Sequence, residues 1–334
     1  MSDRAPRSVP LPALVSLVVV LMTVLLAAFA WPAVRSAPHD VPVAVAAPPQ
    51  VTAALEQARP GAFAFTTVAD EAAARGAILE REVYGAVVVG PQGAQVLTAS
   101  AAAPAVAQTL QQVAAGLSDR LGTDVPVEDV VPTPADDPRG AGLAAGALPL
   151  ALGGILAAAL LTRTTAGVGR RFAGATAISV VAGPALTGLL QGWLGALDGD
   201  YWSTSGVVAL GLGATSFALL GLHAALGTPG LGLGAAVVML LGNPLSGAAS
   251  APEFLPAGWG VLGQVLPPGA TVSALRSVAF FDGAAAAGPL WVLTAWAFGG
   301  LVLAGLARLR RPVSPQAGPP QEPSPAQRSA AVPV

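Results

Sequence analysis

Long apolar runs, separated by short polar stretches, dominate the chain. A helix rises about 1.5 Å per residue and the hydrocarbon core of a bilayer is about 30 Å thick, so about 20 apolar residues cross it. The pattern predicts an α-helical polytopic membrane protein with six transmembrane helices. They are expected at residues 11–34, 143–162, 172–194, 205–226, 231–250 and 288–307.

The first apolar run, residues 11–34, invites comparison with a secretion signal. Its apolar core is longer than the 7–15 residues that are typical of such signals, which favours a transmembrane helix. The sequence AFAWPAVRSA at its end leaves cleavage open as an alternative.

Residues 35–142 have a different pattern, in which short apolar runs alternate with amphipathic stretches. Runs such as VPVAVAA (41–47), FAFTTV (63–68) and YGAVVVG (84–90) are typical of strands. The order predicted for the whole segment is β-α-β-α-β-β-α-β. We therefore expect an inserted α/β domain that is large enough to have its own core.

Composition narrows the function classes. The chain is 54% hydrophobic and 10% charged, against about 25% charged residues in soluble proteins. It has no cysteine, which excludes disulfides and thiolate metal sites. The glycine-rich stretch GTPGLGLGAA (227–236) lacks the lysine of a phosphate-binding loop and does not join a strand to a helix. We find no catalytic or metal-binding constellation and predict neither enzyme activity, nor a cofactor bound by this chain, nor a nucleic-acid partner.

The arginines predict the orientation in the membrane, because cytoplasmic loops are enriched in positive charge. An even number of crossings places one set of eight arginines on the same side: Arg4, Arg7, Arg163, Arg170, Arg171, Arg308, Arg310 and Arg311. Residues 36–142 contain twelve acidic residues against five arginines, which suits the opposite side. The sequence thus predicts a cytoplasmic-membrane protein with both termini cytoplasmic. Residues 1–10 form a short tail, and the Pro-rich residues 308–334 form a disordered one.

Two glycine pairs with a spacing of four, Gly188/Gly192 and Gly230/Gly234, lie in apolar sequence. Small residues at this spacing let helices approach closely. Packing within one subunit and a seam between two subunits both fit the pattern.

The motif GNPLSG, residues 242–247, interrupts the fifth apolar run. Pro244 cannot donate a backbone hydrogen bond, and it disfavours helical geometry at Asn243. Because lipid cannot satisfy the freed backbone groups, protein or enclosed water must do so. We expect the side chains of Asn243 and Ser246 to take this role. An ordinary helix stop before an interfacial loop is the alternative.

After this break, prolines divide residues 251–283 into short apolar pieces, which is typical of re-entrant or interfacial segments. Phe254, Trp259, Phe280 and Phe281 are expected at the membrane interface. Glu253 and Arg276 are candidates for an ion pair there, or else for exposed rim charges. The candidate gate or translocation residues are Gly242, Asn243, Pro244, Ser246, Glu253 and Arg276.

Three stretches carry a family resemblance: EAAARGAILEREVYGAVVVGP (71–91), DVVPTPADDPRGAGL (129–143) and residues 242–283 from GNPLSG to FFDG. They resemble type-2 ABC exporter permeases, in particular the branch of YhgE/Pip (phage infection protein)-like proteins. The resemblance implies one helix, an outer domain and five more helices, with re-entrant helices that cap the outer end of the pathway. Larger members of the branch have a much longer outer region, which this chain lacks.

The resemblance also implies partners, namely membrane lipid, a second permease subunit in a homodimer or heterodimer, and a separate ATP-binding subunit. The loop 162–171 matches the loop that contacts the ATPase in such exporters, so Arg163, Arg170 and Arg171 are candidate contacts. The alternative is that they serve only as the positive-inside signal, and the loop is short for docking.

Two functions therefore remain open. The first is a permease subunit that exports apolar or amphipathic compounds, drug-like or lipid-like. Almost no ionisable residue lies in the predicted spans, which argues against ion coupling. The second is a non-transporting membrane protein whose extracytoplasmic domain binds an envelope partner or a surface ligand.

Overall fold

The first helix contacts the rest of the protein near its C-terminal end and is exposed along most of its length. The structure, a computed structural model, describes residues 10–91 and 93–309. Helix α1 (Leu11–Val34) has the predicted bounds, and Pro32 is its one buried residue. The apolar side chains along most of its length are exposed, so this helix needs an apolar environment such as lipid.

The segment after α1 forms a mixed five-stranded sheet with three helices, in the predicted element order. Its strand order is β2-β1-β3-β4-β5, and β3 and β4 form the antiparallel pair of an otherwise parallel sheet. The strands are β1 Val41–Ala46, β2 Phe63–Thr67, β3 Gly85–Gly90, β4 Gly93–Thr98 and β5 Val127–Asp129, and the helices are α2 Pro49–Ala58, α3 Glu71–Leu79 and α4 Pro104–Leu121.

The two faces of the sheet are covered by different helices. On one face, Val43 and Val87 pack with Leu55 of α2 and Leu110 of α4. On the other face, neighbouring strand residues such as Leu97 pack with helix α3. This division follows from the alternation of side chains along a strand, and it leaves α2 and α4 side by side on one surface.

Five of the described helices are long and apolar enough to cross a membrane, which is consistent with a polytopic membrane protein. They are α1, α5 Ala141–Thr164, α6 Val168–Thr187 with its π-helical extension Gly188–Trp193, α7 Tyr201–Leu226 and α11 Ala287–Leu309. Helix α7 is the most buried and lies at the centre, against α5, α6 and α11.

The predicted fifth span, residues 231–250, was wrong in its extent. The chain forms α8 (Thr228–Val237) and a π-helical turn (Val238–Gly242), and then leaves the helix. At about 1.5 Å per residue this helix is about 22 Å long, shorter than a hydrocarbon core of about 30 Å. The physical reason is the Gly-Asn-Pro sequence, which ends the helix well before residue 250.

The positions of two helix ends show that the whole segment after α7 leads the chain to the opposite end of the bundle. Arg308, at the end of α11, has its Nη2 atom 3.8 Å from the position of a Cβ built on Gly169, at the start of α6. Helix α11 therefore ends where α6 begins. Since α7 runs antiparallel to α6, residues 228–286 must connect opposite ends of the bundle.

The glycine pairs and the two chain ends agree only in part with the predictions from the sequence. Gly230 and Gly234 pack closely against α7, whereas a Cβ on Gly192 would meet nothing within 4 Å, so close packing within one subunit is confirmed for the Gly230/Gly234 pair alone. A seam between two subunits stays a prediction for the Gly188/Gly192 pair. Most of both predicted tails, residues 1–9 and 310–334, lies outside the described residues. Arg308 and Leu309, predicted in the tail, belong to α11.

Candidate functional site

The helix break at GNPLSG is built around a π-helical turn. The backbone N–H of Asn243 donates to the carbonyl of Val238 at 2.9 Å, five residues back. Asn243 keeps helical angles, φ −73° and ψ −50°, so the prediction that Pro244 forces it out of helical geometry was wrong. The five-residue hydrogen bonds widen this turn, which gives the proline ring room that an α-helical turn lacks.

Three consecutive carbonyl groups after the break are satisfied by side chains from two short helices, α9 (Trp259–Gln264) and α10 (Pro267–Phe280). Gln264 Nε2 donates to the carbonyl of Ser246 at 3.1 Å. Arg276 donates from Nη1 to the carbonyl of Gly247 at 3.1 Å and from Nη2 to that of Ala248 at 2.8 Å. These side chains thus replace water as hydrogen-bond donors to the broken backbone.

Ser246 takes the role predicted for it, and Asn243 does not. Ser246 Oγ donates to the carbonyl of Asn243 at 2.7 Å and accepts from the N–H of Ala248 at 3.3 Å. Among the described residues, the side-chain amide of Asn243 meets no hydrogen-bond partner. The expectation that this amide satisfies the backbone was wrong because the hydroxyl of Ser246 is already within reach.

Asn243 and Pro244 instead line a groove of about 410 Å³ beside the break. Phe29 and Pro32 of α1 line the groove, together with Leu148 of α5. The groove is mainly apolar, with the Asn243 amide as one of few polar groups. Gly242 lies on the other side of the break, close to α10, where a Cβ would stand 2.8 Å from Pro268 Cγ.

Arg276 and Glu253 do not form the expected ion pair, and Arg276 is not a rim charge. Arg276 is only 4% exposed, because its guanidinium serves the backbone carbonyls described above. Glu253 accepts a hydrogen bond from the hydroxyl of Tyr84, at 2.9 Å. The ion pairs found in the described part of the chain join Arg75 to Glu71 and to Glu128, away from this site.

Tyr84 and Arg81 connect the α/β domain to the segment after the helix break, Tyr84 through Glu253 and Arg81 through α10. Arg81 Nη1 donates to the Ser273 carbonyl at 3.0 Å and also to Ser277 Oγ, and its guanidinium lies 5.3 Å from the centre of the Phe281 ring. Burial lowers the pKa of Arg81 and raises the pKa of Tyr84, since both groups are removed from water.

The aromatic residues expected at the membrane interface mostly lie elsewhere. Phe254 and Phe281 are buried in the two cores of the α/β domain, and half-buried Phe280 packs against the same region. That prediction was wrong for these residues because the domain covers the segment after the break. Trp259 is half-exposed and meets Trp31 of α1 edge to face, with the ring centres 5.2 Å apart.

The three arginines proposed for ATPase contact are not equivalent. Arg171 donates to the carbonyls of Thr165 and Thr162, at 2.8 and 3.0 Å, and so completes the end of α5. Arg163 and Arg170 are exposed. Only three residues, 165–167, separate α5 from α6.

Sequence reasoning missed Gln264, Arg81 and Tyr84. Gln264 offered a signal, since it is the one polar side chain in the apolar piece WGVLGQVL. Arg81 and Tyr84 gave none, because their partners are 169 to 196 residues away in the chain. No known family model matches this chain, and no curated protein or solved structure matches it either.

Proposed function

We propose that this chain is the permease subunit of an ATP-driven exporter that moves apolar or amphipathic compounds outward. The observation that carries the proposal is the broken helix beside the apolar groove. Non-helical backbone inside a membrane bundle is tolerated where protein satisfies it or where it lines a cavity. Transporters use such discontinuous helices at their binding sites, and this break has both properties.

In this proposal the short helix 228–242 and the two helices α9 and α10 together make the fifth of six crossings and its outer cap. The α/β domain is extracytoplasmic, and both termini are cytoplasmic. The positive-inside distribution of the arginines supports this orientation. The ends of α6 and α11 support the even number of crossings.

The energy source is a separate ATP-binding subunit, because the chain has no lysine for a phosphate-binding loop and almost no ionisable residue within its spans. Arg163 and Arg170 are the proposed contacts with that subunit. The permease acts as a homodimer or heterodimer, as the resemblance to type-2 exporters implies.

The gate residues divide into two groups in this proposal. Asn243 and Pro244 face the groove and contact the cargo path. Gly242, Ser246 and Arg276 hold the break in shape, and Glu253 ties it to the α/β domain through Tyr84.

The test is ATP-dependent uptake of an apolar fluorescent dye into inverted membrane vesicles. We expect uptake with the native chain, and a loss of most of it with the double substitution Arg163→Gln/Arg170→Gln. Arg139→Gln, an exposed arginine of the α/β domain, is the matched control and should leave uptake unchanged. Vesicles that lack the chain but take up the dye equally well would refute the proposal. Uptake of sugar-like compounds alone would refute the cargo class.

The second candidate is a non-transporting membrane protein whose outer domain binds an envelope partner or a surface ligand. It is favoured by the three-residue connection between α5 and α6, which offers little surface to an ATPase. Deletion of residues 40–138 tests this candidate, since it should abolish every phenotype of the chain. Intact phenotypes after the deletion would rule this candidate out.

A further inference from the structure

A cleft lies on the α/β domain between the end of α2 and the C-terminal half of α4. Its volume is about 160 Å³. The floor is apolar and is formed by Leu55, Phe63, Val113 and Leu117. Leu55 and Phe63 are buried parts of the domain core, so the floor is a fixed surface.

Two arginines stand at the rim of this cleft, Arg59 from the end of α2 and Arg120 from the last turn of α4. The segment 36–142 carries five arginines against twelve acidic residues, so two of its five cations meet at one place on an acidic domain. Arg75 shows the contrast, since it is paired with two carboxylates.

Neither rim arginine forms an ion pair with a carboxylate in the described part of the chain. Arg59 Nη2 donates to Oε1 of Gln112 at 3.1 Å, and this neutral amide orients the guanidinium across the cleft. No carboxylate lies within 4 Å of either guanidinium among the described residues. An uncompensated pair of guanidinium groups above an apolar floor is complementary to a ligand with an anionic head and an apolar body.

Gly116 has no side chain and so adds open space to the wall of the cleft. A Cβ at this position would meet nothing within 4 Å. Glycine in a helix interior costs about 1 kcal/mol relative to alanine. At Gly116, in the C-terminal half of α4, it leaves room for a ligand above Val113 and Leu117.

We propose that this cleft binds a small carboxylate with a short apolar chain. The chain lies on the floor, and the carboxylate accepts hydrogen bonds from Arg59 and Arg120. The volume equals about five water molecules at about 30 Å³ each. It is smaller than the roughly 300–1,000 Å³ of sites for drug-sized ligands, which limits the ligand to a few carbon atoms. The site is independent of the transport proposal.

The absence of cysteine from the sequence makes a direct test possible in the full chain. Ala58→Cys places a single thiol in the cleft, and the full chain is held in lipid nanodiscs. The rate of thiol modification by a maleimide is measured with added hexanoate, hexylammonium or hexan-1-ol. Gly76→Cys on α3, where open space surrounds the position, is the control outside the cleft.

We expect hexanoate to slow the modification of Ala58→Cys about tenfold and saturably, as two charge-assisted hydrogen bonds allow. Hexylammonium and hexan-1-ol should have little effect, and the Gly76→Cys control should not respond. The added pair Arg59→Gln/Arg120→Gln should remove the protection. Gly116→Leu should remove it as well, by filling the cleft while both arginines remain.

Three results would overturn the inference. Equal protection by hexylammonium or hexan-1-ol would mean simple apolar partitioning. Protection that survives Arg59→Gln/Arg120→Gln would exclude the arginines as the anion site. Protection that appears equally at Gly76→Cys would place the effect outside the cleft.

Discussion

Arg276 supplies the broken helix with hydrogen-bond donors that water supplies to backbone carbonyls at a protein surface. Its planar guanidinium donates to two neighbouring carbonyls, those of Gly247 and Ala248, from a position that is almost fully buried. Lysine has one compact head group and lacks this fixed fork. Arginine is therefore the side chain that suits position 276, because it donates to both carbonyls of the break at once.

Substitution of Arg276 should destabilise the protein. In Arg276→Met the Ala248 carbonyl loses its donor, at about 1–3 kcal/mol, and the Gly247 carbonyl keeps only the backbone N–H of Ser250, at 3.3 Å. Arg276→Lys should be intermediate. The midpoint of thermal unfolding, followed by tryptophan fluorescence in detergent micelles, measures the effect. Arg163→Met, at an exposed site, should change the midpoint little. A native midpoint in Arg276→Met would contradict this role.

Substitutions of Asn243 and Ser246 should have different effects, the first on transport and the second on stability. Asn243→Ala should reduce transport in the vesicle assay without lowering the unfolding midpoint, because the Asn243 amide faces the groove. Ser246→Ala should lower the midpoint, because the Asn243 carbonyl loses the hydroxyl donor of Ser246 and keeps only the backbone N–H of Ser246, at 3.2 Å. The loss of one such hydrogen bond costs about 0.5–1.5 kcal/mol. If Asn243→Ala transports normally, the motif is only a helix stop.

Tyr84 should make the junction sensitive to alkaline pH. Burial, and then the negative charge of Glu253, raise the pKa of Tyr84, so the folded state favours the neutral phenol. The stabilisation is present below the unfolded value of about 10 and is lost as the pH rises through the folded value. Phenolate absorbance measures the titration in Tyr201→Phe, where Tyr84 is the remaining tyrosine. An ordinary tyrosine titration would refute the buried placement.

At the scale of elements, the contact between α7 and α11 depends on backbone approach. A Cβ on Gly300 would stand 2.2 Å from the carbonyl oxygen of Phe217, and one on Gly221 would stand 2.4 Å from the carbonyl oxygen of Gly300. Neither approach leaves space for a side chain. The two helices can pack this closely only because both positions are glycine.

Neighbouring glycines of α11 give a matched test of this contact. Gly300→Ala should separate α7 from α11 and lower the unfolding midpoint, at a cost of about 1–3 kcal/mol for an overpacked core. Gly299→Ala should be neutral or slightly stabilising, because a Cβ there meets nothing within 4 Å and alanine favours helix. Equal effects of the two substitutions would show that the close approach is absent.

The sequence predicts elements well where a local pattern determines them. The bounds of α1 and the order of the α/β domain follow from apolar runs and turn residues. The extent of α8 does not, because apolarity continues past the break at Pro244. The candidate gate residues could be predicted from the sequence, but the hydrogen-bond partners of Arg276 and Glu253 could not. These partners depend on how α10 and the α/β domain pack.

At the scale of the whole molecule, the α/β domain and the segment after the break form one packed unit. Ala251 and Phe254 belong to the same core as the strand residues Val41 and Val43. The backbone N–H of His39, in the connection after α1, donates to the carbonyl of Glu253 at 2.9 Å. A movement of the domain would therefore act directly on the helix break.

The central claim, that this molecule is an exporter's permease subunit, is tested most directly by what it binds in its native membrane. The measurement is gentle purification of the chain, followed by mass spectrometry of the proteins that accompany it and by an ATPase assay. We expect an ATP-binding subunit in an amount nearly equal to that of the chain, and ATPase activity in the complex. Repeated absence of such a subunit, with envelope proteins recovered in its place, would contradict the account and favour the non-transporting alternative.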